Sequence, residues 1–180
     1  MGSQSDPGAG GAQQSSPAGG QAQGGRWGGA MARQARERCA FHEDRSDPRP
    51  YMEARAELKV RFHEVDVMGI VWHANYFGYF EEARRVLAAK HDMDYPVLMA
   101  NNLAAPVVSA SISYHAPARM GDTLEVVTRF YKSDSVKLEF GYEIRQIPDR
   151  TPVTTGRTVQ VLTTLDRQLI LVWPQLFRDL

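Results

Sequence analysis

The chain has 180 residues, 43% hydrophobic and 23% charged, with 21 Lys plus Arg against 21 Asp plus Glu. From Tyr51 onward the count is 15 against 16, so no basic field exists to hold nucleic acid or anionic lipid in bulk, and no nucleic-acid partner is expected. The single cysteine, Cys39, excludes an intramolecular disulfide and a cysteine-based zinc site, and fits a reducing compartment. No run reaches the length of a membrane-spanning helix, and the start lacks the charged-then-apolar order of a secretory signal. A cytoplasmic protein without a membrane span is the expectation.

The average composition covers two unlike parts. Residues 1–40 contain no Val, Leu, Ile, Phe or Tyr, and the first 30 hold ten of the fifteen glycines. Such a Gly/Ala/Gln/Ser mixture cannot bury enough apolar surface to offset the entropy of ordering, and residues 1–50 are expected to form a disordered tail. Met31 opens an Arg- and Glu-containing stretch compatible with a short helix, and equally with a second start of translation. Two prolines in Ser46–Pro50 put the boundary near Tyr51, leaving a domain over 51–180.

Leu58, Val60 and Phe62 alternate with Glu57, Lys59 and Arg61, which predicts a half-buried strand. The period then changes: Tyr76, Phe80, Ala83 and Leu87, flanked by Tyr79, Val86 and Lys90, follow helical spacing, with Asn75 as N-cap. After a turn-rich connection (HDMDYP) every pattern returns to period two. Ala110, Ile112 and Tyr114 give one strand, closed by the Pro117–Asp122 turn (PARMGD). Leu124 to Phe130 and Val136 to Ile144 give two more, and Val159–Leu165 with Leu169–Trp173 complete the set. One helix cannot cover both faces of a parallel sheet, so an α+β architecture is expected, with a curled antiparallel sheet of five or six strands around one long helix. The open edge and the uncovered sheet face call for a second copy, hence at least a dimer.

Between the first strand and the helix lies Glu64-Val65-Asp66-Val67-Met68-Gly69-Ile70-Val71-Trp72-His73-Ala74-Asn75-Tyr76. The loop sets a carboxylate beside a helix N-terminus, whose free N–H groups and partial positive charge can polarise a carbonyl. A carboxylate facing that carbonyl can attack it or deprotonate a water. These parts suffice to hydrolyse an activated acyl group, and a thioester suits them because its thiolate leaves without a strong general acid. A carboxylate before a helix is also the ordinary composition of a cap or a solvated turn, and the loop alone does not choose.

The run from Asp66 to Tyr76, followed by Tyr79-Phe80-Glu81-Glu82-Ala83-Arg84, resembles the signature of the 4-hydroxybenzoyl-CoA thioesterase family of hot-dog-fold proteins, including acyl-CoA thioesterases associated with the Tol-Pal system. The segment Pro106–Leu124, with its "PA, then GD" turn, is similar to a second family segment, and the likeness spans about 57 to 173. It implies one helix wrapped by an antiparallel sheet, a homodimer or homotetramer with active sites at the subunit interface, and no cofactor or metal. Carried over residue by residue, Asp66 matches the catalytic carboxylate, as nucleophile through a mixed anhydride or as general base. His73 matches the position whose backbone N–H polarises the thioester carbonyl. Gly69 matches the loop glycine, and Asn75 and Tyr76 match helix-start residues lining the site, with Ile70 and Val71 between them expected to bind substrate. Val65 stands where many members carry a small polar residue, which bears on substrate detail rather than on the reaction.

The expected function is hydrolysis of an acyl-CoA, with an acyl-carrier-protein thioester as the other possible substrate. Two alternatives stand beside it: a non-catalytic acyl-CoA or acyl-carrier-protein binding domain, and a hot-dog dehydratase or hydratase. His63, Asp66 and His73 lack a fourth ligand and a fixed geometry, so no metal site is expected from them. Glu81 and Glu82 are read as helix partners of Arg84 and Arg85, Gly78 as permitting close helix-to-sheet approach, and Asp122 as a turn residue. Tyr114, His115 and Arg119 are kept as candidate contacts for CoA.

Overall fold

The computed structural model describes residues 49–178; the expected tail over 1–50 and the Met31 segment fall almost wholly outside them. The strands are β1 (Tyr51–Lys59), β2 (Leu103–Ala104), β3 (Val107–Tyr114), β4 (Thr123–Lys132), β5 (Lys137–Ile147), β6 (Pro152–Val161) and β7 (Thr163–Thr164), with helices α1 (Asn75–Lys90) and α2 (Tyr95–Ala100). Five strands form an antiparallel sheet in the order β1-β4-β5-β6-β3, and β2 pairs with β7 in a small separate ladder. The long helix lies against β1 and β4. This is the α+β, hot-dog arrangement expected.

The helix forms because Tyr76, Tyr79, Phe80, Ala83 and Leu87, spaced at three and four, bury one stripe. The Phe80 ring stacks on Tyr142 of β5 with centroids 4.3 Å apart, and Leu124, Val126, Phe130, Leu138, Phe140 and Ile144 supply the same inner face of the sheet. Close approach occurs at Gly156 of β6, where an added Cβ would stand 2.5 Å from Phe80 Cε2. Gly78 does not serve that purpose: an added Cβ there meets nothing within 4 Å, so the expected helix-to-sheet contact is absent at that position.

Other elements depart from the sequence reading. β1 starts at Tyr51 and ends at Lys59, while Phe62 opens a 3-10 turn (Phe62–Glu64) and is 79% exposed. The N-cap of α1 is Ala74, not Asn75. The HDMDYP connection runs into α2, with Asp94 accepting from the Val97 N–H. Leu169–Trp173 is no strand; Leu169 makes a single bridge to Thr163.

The outer face of the sheet carries a network of ion pairs among apolar residues such as Val127, Tyr131 and Val159. Glu53 binds Arg55 and Arg129, Arg55 also approaches Glu125, Arg150 binds Glu125, Arg49 and Arg157 bind Glu139, and Arg145 binds Glu143. Paired charges of this kind are stable in water, so they do not by themselves call for a second copy over this face. The open edge remains: β3 pairs only with β6, and Val107 and Val108 are 45% and 59% exposed. No described helix is long and apolar enough to cross a membrane.

Candidate active site

After the 3-10 turn the chain folds back in a narrow hairpin. Val65 and Val71 pair, the Asp66 N–H donates to the Ile70 carbonyl at 2.9 Å, and the Gly69 N–H donates to the Asp66 carbonyl at 2.9 Å. Gly69 takes φ 71°, a conformation in which a side chain is strained. The Asp66 carboxylate accepts the Met68 N–H through Oδ1 at 2.8 Å, an Asx turn that orients the group. Its Oδ2 accepts no hydrogen bond among the described residues and is available for chemistry.

The hairpin is tied on two sides. At its base the Glu64 carbonyl accepts both the Trp72 N–H at 2.9 Å and Asn75 Nδ2 at 2.8 Å. Along its flank the Val71 N–H donates to the Ala118 carbonyl at 2.8 Å and Ile70 bridges Arg119. The PARMGD turn is itself held by Asp122 Oδ2, which accepts the Arg119 N–H at 2.8 Å, and by the Val60 N–H donating to the Asp122 carbonyl at 2.9 Å. The two segments singled out in the sequence, about 50 residues apart, thus form one unit, and Asp122 is the turn residue expected.

The start of α1 is equally fixed. Its Asn75 N–H donates to the Trp72 carbonyl at 2.9 Å, and the Tyr114 hydroxyl donates to the His73 carbonyl at 2.9 Å. Because each peptide group is planar, these two bonds set the planes that carry the His73 and Ala74 N–H groups. Neither N–H has an acceptor among the described residues, and both sit at the positive end of a 16-residue helix. An anionic or developing oxyanionic oxygen is what such a pair of groups would hold.

Of the residues expected at the site, Asp66 is half-buried, His73 and Gly69 are exposed, and Ile70 is half-buried. Val71 and Tyr76 are each 3% exposed and offer a substrate no open surface within the single chain. Tyr76 packs edge-on to Tyr79 and Tyr114. The Asn75 amide is committed to the Glu64 carbonyl. Tyr114 acts on the helix start, and His115 Nε2 lies 2.8 Å from Thr155 Oγ1, while the Arg119 side chain is exposed. Glu81 and Glu82 pair with Arg84 and Arg85. Among the described residues no three His, Cys, Asp or Glu side chains come together as a metal site.

Sequence reasoning passed over Glu64 and the hydroxyl of Tyr79. The Tyr79 hydroxyl donates to Glu64 Oε2 at 2.8 Å, and the Arg61 N–H donates to the same oxygen at 2.7 Å. Burial, then the bond to Glu64, pushes the Tyr79 phenol far above its ordinary value, so it stays a donor. Glu64 and Tyr79 border a cleft of about 750 Å³ between the end of β1 and the first half of α1, also lined by Lys59, Arg61, His63 and Gly78. Asp66 lies outside that lining. Around Asp66 the chain instead exposes apolar groups: Val67 (105%), Met68 (69%), Trp72 (49%) and Met120 (57%).

Comparison with known proteins bears on the family and the fold. Residues 60–179 match the sequence profile of the Thioesterase-like superfamily. The acyl-CoA thioester hydrolase YbgC of Escherichia coli is 32% identical over 90 residues, 50% of this chain and 67% of that protein. The crystal structure of the hypothetical protein TT1821 from Thermus thermophilus superposes with a TM-score of 0.64 at 29% identity, covering 71% of this chain and 94% of that one. Slr0204, a 1,4-dihydroxy-2-naphthoyl-CoA thioesterase from Synechocystis, shares the fold with a TM-score of 0.65 at 23% identity over the same shares of the two chains. The profile match covers well over half the chain and includes the Asp66 loop, the helix and the PARMGD turn, so this protein belongs to the Thioesterase-like superfamily.

Proposed function

We propose that this enzyme hydrolyses an acyl-CoA thioester to the free acid and CoA, in the manner of the 4-hydroxybenzoyl-CoA type of hot-dog thioesterase, with Asp66 as the catalytic carboxylate. The observation that carries this is the arrangement of the loop: an oriented carboxylate with a free Oδ2, on a hairpin hydrogen-bonded to a helix start whose His73 and Ala74 N–H groups are unpaired among the described residues. The thioester carbonyl oxygen accepts from the His73 N–H, which withdraws electrons from the carbonyl carbon. Asp66 Oδ2 then attacks that carbon and expels CoA thiolate, leaving a mixed anhydride that a water hydrolyses to the acid and the free carboxylate, or it takes a proton from a water that attacks the carbon itself; in either course the thiolate takes up a proton and the products are acid and thiol. The His73 imidazole is not required, since the polarising group is backbone.

The exposed apolar groups around Asp66 and the open β3 edge support an assembly in which a second copy closes the site, a homodimer or a pair of such dimers. Water exclusion there would strengthen the hydrogen bond to the developing oxyanion. Purified protein incubated with acetyl-, hexanoyl-, palmitoyl- and benzoyl-CoA, with released thiol measured, tests the activity. Many turnovers per enzyme with at least one of them are expected. Stoichiometric binding without thiol release would overturn the proposal in favour of a binding domain.

A further inference from the structure

The Asp66 hairpin is narrow and bare at its tip, where Val67 and Met68 are 105% and 69% exposed. Its flank is held by the Ala118 carbonyl and the Ile70–Arg119 bridge, and its base is held through Glu64. The helix grips this residue at two points one turn apart on the same face: Asn75 Nδ2 holds the Glu64 carbonyl at 2.8 Å, and the Tyr79 hydroxyl holds the Glu64 carboxylate at 2.8 Å. The Arg61 N–H reaches the same carboxylate oxygen at 2.7 Å, which ties the 3-10 turn in as well. Tyr79 is 5% exposed and packed edge-on against Tyr76, so its hydroxyl is held by the core rather than by the loop.

We propose that Glu64 and Tyr79 form a clamp that positions the Asp66 hairpin against the first turn of α1, both acting through Asp66 and neither touching substrate. The proposal rests on the assignment of Asp66 above. Releasing either member frees the Glu64 side chain and loosens the base of the hairpin while the ties along its flank remain, and a displacement of about 1 Å at a reacting carboxylate costs on the order of 100-fold in rate. Two competing roles for Glu64 make different demands. As the base itself it would need its charge, and as a substrate contact in the cleft it would act on KM.

The test compares kcat and KM for Tyr79→Phe, Glu64→Gln, Glu64→Ala and Asp66→Asn, using the best CoA thioester of the panel above, with thermal melting and elution volume as folding controls. The clamp requires that Tyr79→Phe and Glu64→Ala lower kcat by about 10- to 100-fold with KM within about twofold. Glu64→Gln, whose amide oxygen still accepts from Tyr79 and Arg61, keeps kcat within about threefold. Tyr79→Phe placed on Asp66→Asn adds no further loss. Glu64→Gln as slow as Glu64→Ala, a raised KM at unchanged kcat, or Tyr79→Phe at the normal rate while Asp66→Asn is inactive would each overturn the clamp alone. Asp66→Asn at the normal rate would overturn the Asp66 assignment and the clamp with it. If Glu64→Ala does not fold, the Tyr79→Phe and Glu64→Gln pair decides.

Discussion

Two glycines on facing elements should respond to the same substitution with opposite sign. At Gly156 an alanine methyl would stand 2.5 and 2.7 Å from Phe80 Cε2 and Cζ and 2.9 Å from the Ser111 carbonyl oxygen, against a contact distance of about 3.5–4.0 Å. Phe80 is 1% exposed and stacked on Tyr142, and Ser111 lies in the β3 ladder opposite Arg157. Relief therefore requires moving a packed ring and a paired strand together. Such overpacking costs about 1–3 kcal/mol, and the loss of unfolded-state freedom offsets about 0.4–1 kcal/mol of it. At Gly78 the added methyl meets nothing within 4 Å, and the helix gains about 0.5–1 kcal/mol. Urea unfolding at fixed protein concentration measures both: Gly156→Ala should lower the midpoint at unchanged slope, and Gly78→Ala should raise it. A Gly156→Ala midpoint equal to wild type would refute the claim that Phe80 is locked, and a lowered Gly78→Ala midpoint would show that something packs on that helix face.

The charged outer face makes the fold acid-sensitive. Burial pushes the Glu53 and Glu139 carboxyls up, but the arginines on each outweigh it, and both end below their ordinary value of 4.5. The native state therefore binds fewer protons than the unfolded chain near that pH. The stabilisation is complete above the unfolded-state value and is lost as pH falls through the lowered native values. A urea midpoint flat from pH 7 to about 5.5 and falling below about 4.5 is expected, with a shallower fall in Glu139→Gln; an unchanged slope in that variant would count against the pairing. At the β3 edge, Val108→Lys should reduce the molar mass measured by light scattering to that of the single chain, whereas a wild-type protein already monomeric at assay concentration would remove the proposed second copy. Tyr114→Phe removes the donor to the His73 carbonyl and should lower kcat by about 2- to 13-fold, the weight of one lost neutral hydrogen bond; an unchanged kcat would show that the helix start needs no such brace.

The elements that were legible in the sequence are those whose inward positions carry large apolar side chains: Tyr76, Phe80 and Leu87 in the helix, and Leu138 to Ile144 in β5. The first half of β1 escaped because its inward residues beyond Met52 are Ala54 and Ala56, too small to mark a period. The expected Val159–Leu165 strand caught only the end of β6; its earlier part escaped because Gly156 faces Phe80 and Thr158 bonds Tyr142, so the large side chains on that face come from other elements. The Leu169–Trp173 run misled for the opposite reason: it is apolar, yet Leu171 and Val172 are 77% and 69% exposed and only Ile170 and Trp173 pack against the core. At the site, an acidic residue, a glycine and a helix start could be read from order alone. The role of Glu64 could not, because its partners are 3, 8, 11 and 15 residues away and meet only when the hairpin closes.

The central claim is that the Asp66 carboxylate carries the hydrolysis. The most direct measurement is kcat/KM for Asp66→Asn against wild type with the best CoA thioester, on protein shown to have the same melting temperature and assembly state. The amide keeps the size of the side chain and the Oδ1 acceptor for the Met68 N–H, and removes only the charge and basicity. A fall of at least about 100-fold is expected; turnover within a fewfold of wild type would contradict the account.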